Sequence, residues 1–201
     1  MHHQRVTRGY GLLEGSLARQ RSKTANQLIP STHRSGRILD IGCGSHPLFL
    51  METEFCEKYG LDKTAGTLHS GSYENGLTIV NHDIEEVGST PFDEEYFDIV
   101  TMLAVFEHIE PNRLVGLMKE VKRLLKPGGI FIMTTPAFWT DGLLRIMSKL
   151  KLVSPVEIEE HKAAYSHSKI ASILLQAGFS KEGLQFGYFE IFMNIWTTAA
   201  K

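Results

Sequence analysis

The chain has 201 residues, 42% of them hydrophobic and 22% charged, with a formal net charge of −2 and a pI near 6.5. That is ordinary usage for one globular domain of ~100–200 residues, without the basic excess on which a nucleic-acid partner relies. No run approaches the ~18 apolar residues of a membrane span and no apolar leader opens the chain, while Cys43 and Cys56 have neither zinc nor disulfide spacing, so a reducing, cytoplasmic location is expected.

Tyr10 to Leu28 reads as a helix, with Leu13, Leu17, Arg21 and Leu28 near one face. Arg37 to Ile41 is a short apolar strand that ends in Gly42-Cys43-Gly44. Pro47 to Lys58 reads as a helix, Pro being suited to its first turn. A second strand, Lys58 to Leu61, ends at Asp62, and a third, Leu77 to His82, ends at Asp83. Phe97 to Leu103 is a fourth strand. Pro111 then opens an amphipathic helix whose stripe is Leu114, Leu117, Met118, Val121, Leu124 and Leu125. Lys126-Pro127-Gly128-Gly129 stops it, and Ile130 to Thr134 is a fifth strand. Ser168 to Ala177 is a helix closed by Gly178, and strand-like pieces follow near Leu184 to Tyr188 and Glu190 to Thr197. Strands that alternate with helices predict an α/β fold with a mostly parallel sheet, whose ligands bind beyond the carboxyl ends of the strands.

Three strand ends carry the chemistry. In Leu39-Asp40-Ile41-Gly42-Cys43-Gly44 the glycines allow a sharp turn and a close backbone approach to a ligand, though a tight turn needs no ligand at all. Asp62, 18 residues after Gly44, by itself reads better as a solvated turn acid; placed after a second strand, behind the glycine turn, it is positioned to accept the two hydroxyls of a ribose. Asp83 is placed to accept from an adenine amino group while Ile84 packs on the ring, although Asp is also frequent in turns.

Together with Phe97 to Ile109 and Leu124 to Ile132, these stretches resemble the class I S-adenosylmethionine-dependent methyltransferases, in their small-molecule branch. The resemblance is good over residues 36 to 136 and extends more loosely through Ala177-Gly178-Phe179 to the end. It implies a Rossmann-like, doubly wound, seven-stranded sheet, mostly parallel with an antiparallel last strand. It implies S-adenosylmethionine as cofactor and S-adenosylhomocysteine as product. Gly42, Cys43 and Gly44 would line the methionine part, with Asp40 holding the loop or reaching the amino group. Asp62 would take the ribose hydroxyls, Asp83 and Ile84 would hold the adenine, Leu103 and Ala104 would supply backbone near the methionine end, and Lys63 would belong to the same cofactor site. One departure stands inside the loop: a third glycine is frequent two residues after Gly44, and here that position is His46, read as pointing to solvent. On this resemblance the chain divides into a helical cap (1–35), a cofactor-binding core (36–136), a substrate or lid insertion (137–168) and a C-terminal helix with strands (169–201).

A sulfonium already carries the activation for methyl transfer, so the protein mainly positions the partners, and a base is needed only where the nucleophile holds its proton. Glu107-His108 follows the fourth strand, where the methyl group is expected, and His108 titrates in the useful range. The alternative is that both residues shape the loop. The stretch Glu157 to His167 lacks zinc spacing and reads as a surface helix; the resemblance makes His161 and Tyr165 contacts to the acceptor. Phe138 to Val153 is apolar and basic, and reads as a lid, a peripheral membrane contact or a core helix. The reading is thus a methyltransferase acting on a small-molecule acceptor at an O, N or C centre, without nucleic acid or metal. A non-catalytic binder of S-adenosylmethionine or a related nucleoside, and a nicotinamide-dependent oxidoreductase, are the competing readings.

Overall fold

A computed structural model describes residues 13–63, 71–73, 76–87, 89–140, 150 and 165–201. The strands are β1 Arg37–Ile41, β2 Glu57–Asp62, β3 Gly71–Tyr73, β4 Leu77–Asn81, β5 Phe97–Leu103, β6 Leu125–Pro136, β7 Leu184–Phe189 and β8 Asn194–Ala200. They form one sheet in the order β3-β4-β2-β1-β5-β6-β8-β7. From β4 through β6 every pairing is parallel; β8 runs antiparallel to β6 and β7. This is the expected seven-strand arrangement with an antiparallel last strand, plus the three-residue β3 paired antiparallel on the β4 edge.

The sheet is covered on both faces. On one face α4, Leu114–Leu124, and α5, His167–Gln176, pack with Phe97, Phe131 and Ile195 of the sheet. The other face packs Ala25 of α1, Glu14–Leu28, and Phe49 and Leu50 of α2, Leu48–Glu52, against Ile38, Ile99 and Ile132. The short α3, Ile84–Val87, lies beside the site. The stripe expected on α4 is the one that is buried: Leu114, Leu117, Met118, Val121 and Leu124 all face the core, as does Leu125. Each such side chain contributes about 1.5–3 kcal/mol of burial. Ser166 caps α5 through Lys169 N, and Gly178, at φ +93, closes it in the left-handed conformation expected of a C′ residue.

Three local expectations fail for physical reasons. The helix expected over Pro47 to Lys58 is only Leu48–Glu52. Thr53 leaves the helix because its hydroxyl donates to Asn26 Oδ1 at 2.6 Å, and Lys58 already belongs to β2, where it is buried. In α1 the face turned inward carries Ser22 and Ala25, whereas Leu13 is exposed; Ser22 donates to Glu52 Oε2 at 2.9 Å. The α4 helix begins at Leu114 and not at Pro111, with residues 111–113 forming a turn. No helix among the described residues is long and apolar enough to cross a membrane.

Candidate functional site

The chain runs outward from β1 through β2 to β4, then returns to place β5 on the other side of β1. Ligands of open α/β sheets bind at such a reversal of strand order, beyond the carboxyl ends of the strands. Gly42 and Val105 stand across this point. Gly42 has φ +77, and a Cβ on it would lie 2.4 Å from Val105 Cγ2, so no other residue type fits without displacement. Gly44, at φ +71, has nothing within 4 Å of where a Cβ would stand. The turn is therefore packed on its Gly42 side and open at Gly44.

Hydrogen bonds fix this turn to the ends of β2. Gly42 N donates to Leu61 O at 2.7 Å, and Gly44 N donates to Asp62 Oδ2 at 2.9 Å. Asp62 is buried, and its backbone oxygen accepts from His82 N at 3.2 Å, which carries the connection on to the end of β4. Asp83 follows there: its Oδ1 accepts from Glu85 N at 2.9 Å, starting the short helix Ile84–Val87, and its Oδ2 lies 4.0 Å from Lys63 Nζ. Ile84 packs partly buried against the main core. At the end of β5, Ala104 takes φ +56 and donates to Thr134 O at 3.0 Å; Leu103 is half-buried against the opposite core. Thus Asp40, Gly42, Cys43, Gly44, Asp62, Lys63, Asp83, Ile84, Leu103 and Ala104 all occupy or follow the ends of β1, β2, β4 and β5.

Asp40 lies beneath the turn, 4% exposed, and accepts from Thr101 Oγ1 at 2.6 Å. Burial raises its pKa to about 7; the Thr101 hydrogen bond opposes that rise and the nearby Asp62 adds to it. Burial also raises the Cys43 thiol, with Asp40 and Asp62 acting the same way, which disfavours the thiolate.

The Glu107-His108 pair separates. Both lie in a 3-10 turn, Phe106–His108, but Glu107 is turned inward, 2% exposed, and accepts from Thr135 Oγ1 at 3.0 Å. His108 is half-buried at the strand end. Tyr165 lies in the core behind this turn, edge-on to Phe106 with ring centroids 4.9 Å apart. Burial first, then Glu107 and Glu110, push its phenol up to about 12. His161 and most of the insertion, like Tyr10, lie outside the described residues. Thr101, Val105, Thr134 and Thr135 are the site-supporting residues that the sequence did not single out. A threonine within the apolar run of β5 was the available signal for Thr101; its partner emerges only from the Asp40↔Thr101 register.

A doubly wound α/β sheet with a glycine turn and successive strand-end carboxylates at its switch point is an arrangement on which nucleotide cofactors bind in open α/β folds. Residues 39–133 match the model of a family described as a methyltransferase domain. The chain is 31% identical over 109 residues to a ubiquinone biosynthesis O-methyltransferase of Paraburkholderia phymatum, covering 51% of this chain and 46% of that one. It is 25% identical over 128 residues to a tRNA N(3)-cytidine methyltransferase of Gallus gallus, covering 58% of this chain and 35% of that one. The chain thus spans about half or less of the length of these curated relatives. Its fold is similar to that of an S-adenosylmethionine-dependent methyltransferase from Mesorhizobium loti, with TM-score 0.65, 18% identity and coverage of 89% of this chain and 96% of that one. Residues 39–133 thus resemble a methyltransferase domain, and the fold as a whole is the one seen in S-adenosylmethionine-dependent methyltransferase structures.

Proposed function

We propose that this protein transfers a methyl group to an O, N or C centre of a small-molecule acceptor. The observation that carries the proposal is the bond from Gly44 N to the buried carboxylate of Asp62, which sets the open side of the glycine turn beside the strand-end acids. S-adenosylmethionine supplies an activated methyl group on a sulfonium. The chain's residues then hold and orient. The backbone of Gly42, Cys43 and Gly44 takes the methionine end, with Asp40 beneath it; Asp62 and Lys63 take the ribose; Asp83 and Ile84 take the adenine; Leu103 and Ala104 close the methionine side. His108, at the end of β5, contacts the acceptor and accepts its proton where the acceptor is an alcohol or amine. Tyr165 supports that turn from behind, and His161 belongs to the same acceptor side. The residue divisions 1–35, 36–136, 137–168 and 169–201 serve as cap, cofactor core, acceptor segment and sheet closure.

The net charge of −2 supports a small acceptor over RNA, which draws on a basic face. Cys43 and Cys56 are unpaired, which supports a cytoplasmic protein. The test is S-adenosylhomocysteine release from the purified chain against small phenols, carboxylic acids and amines, with unmodified tRNA in parallel. Release with a small acceptor is expected. Turnover with tRNA alone would overturn the choice of acceptor, and binding of S-adenosylmethionine without turnover on any acceptor would make the chain a binding protein.

A further inference from the structure

Five of the nine large apolar side chains exposed among the described residues stand on two adjoining turns. Phe138 and Trp139 follow β6, while Tyr188, Ile191 and Phe192 belong to the β7–β8 hairpin. Pro136 pairs with Asn194, and Ala137 N donates to Met193 O at 2.9 Å, so the two turns lie side by side. Because β6 runs parallel to β1 and β5, they rise from the same end of the sheet as the glycine turn. We propose that this apolar edge docks the protein on an anionic lipid surface.

The shape of the edge favours a lipid surface. The hairpin tip projects beyond its last pair, Phe189↔Asn194, and Ile191 is 88% exposed and Phe192 65%. Apolar side chains this exposed can bury in the headgroup/acyl boundary of a bilayer, as the apolar face of an interfacial helix does. Three successive residues, Glu190, Ile191 and Phe192, are left-handed, at φ 52, 55 and 66. That conformation is unusual for a β-branched residue and here directs both apolar side chains outward.

Charge points the same way. The one acid of the tip, Glu190, is turned inward: Asn194 Nδ2 donates to its Oε2, its Oε1 is buried, and Arg21 lies on its side. Beyond Trp139 and Asp141 the sequence carries Arg145, Lys149 and Lys151, with no further acid before Glu157. Aromatic residues beside lysine and arginine are the composition of an interfacial anchor, and the cytoplasmic leaflet is the anionic one. Docked this way, the carboxyl end of the sheet faces the bilayer. Only the corollary, that an amphiphilic acceptor arrives from it, rests on the function proposed above.

The test is co-sedimentation of the full chain with vesicles of phosphatidylcholine alone or mixed with phosphatidylglycerol. Asparagine tolerates the left-handed conformation, so the double variant Ile191→Asn/Phe192→Asn keeps the turn. Its S-adenosylhomocysteine affinity and Tm should equal those of the wild type, which separates this test from that of the methyltransferase reading. The wild type should partition onto the anionic vesicles, less so as salt rises, and the variant about tenfold less. Four results would overturn the proposal: wild-type protein left in the supernatant, a variant that binds as well as the wild type, equal binding to both lipid compositions, or a wild-type dimer that the variant turns into a monomer.

Discussion

The hydroxyl of Thr101 donates to the carboxylate of Asp40 at 2.6 Å, with Thr101 fully buried and Asp40 4% exposed. The bond crosses from β5 to β1 beneath the glycine turn, so one pair of side chains joins the two strands that flank the switch point. Thr101→Val keeps the shape and removes the donor. Leaving a buried acceptor without its partner costs about 1–3 kcal/mol. Denaturant unfolding of the variant is expected to show a loss in that range; a change within error would mean that the bond does not hold the strands.

Asp40 also makes stability depend on pH. Its pKa rises from 3.8 to about 7, so between those values the folded state keeps a proton that the unfolded state has released. Stability contributed by this group is fully present below about pH 4, falls as pH rises to about 7 and is flat above, by a few kcal/mol in order of magnitude. Asp40→Asn is expected to flatten that part of the profile. Parallel wild-type and variant curves, from melts across the range, would remove Asp40 as the source.

Gly42→Ala adds a methyl group where Val105 Cγ2 is 2.4 Å away, at a φ of +77. The expected loss is about 1–3 kcal/mol of stability, with at least about tenfold weaker cofactor binding. The double variant Gly42→Ala/Val105→Ala relieves the clash but not the backbone strain, so recovery should be partial. Full recovery would assign the whole effect to Val105, and no recovery would assign it to the backbone.

His108→Ala is expected to lower kcat by about 10²-fold or more if the acceptor must lose a proton, while cofactor affinity stays near wild type. Unchanged kcat and KM on an alcohol or amine acceptor would take His108 out of the site.

Strand ends were the most legible part of the sequence. β1, β4, β5 and the apolar stripe of α4 follow from hydrophobic runs and from the glycine and aspartate residues that close them, and those closures locate the site. Whatever depends on contacts distant in sequence was not legible. The short α2 ends where Thr53 meets Asn26, the inward face of α1 is set by Glu52 and the core beneath it, and Glu107 parted from His108 because Thr135, on another strand, holds it. His46 remains half-buried beside the turn, its backbone oxygen accepting from Leu48 N at 2.7 Å, so the residue in place of a third glycine helps to start α2.

Calorimetric titration of the wild type and Asp62→Ala with S-adenosylhomocysteine bears most directly on the site at the switch point. Asp62 both anchors Gly44 N and faces the proposed ribose position. One-to-one binding to the wild type, weakened at least about tenfold in a variant that still folds, is the expected result. A wild type that binds a nicotinamide dinucleotide and not S-adenosylhomocysteine, or a variant that binds S-adenosylhomocysteine as tightly as the wild type, would contradict it.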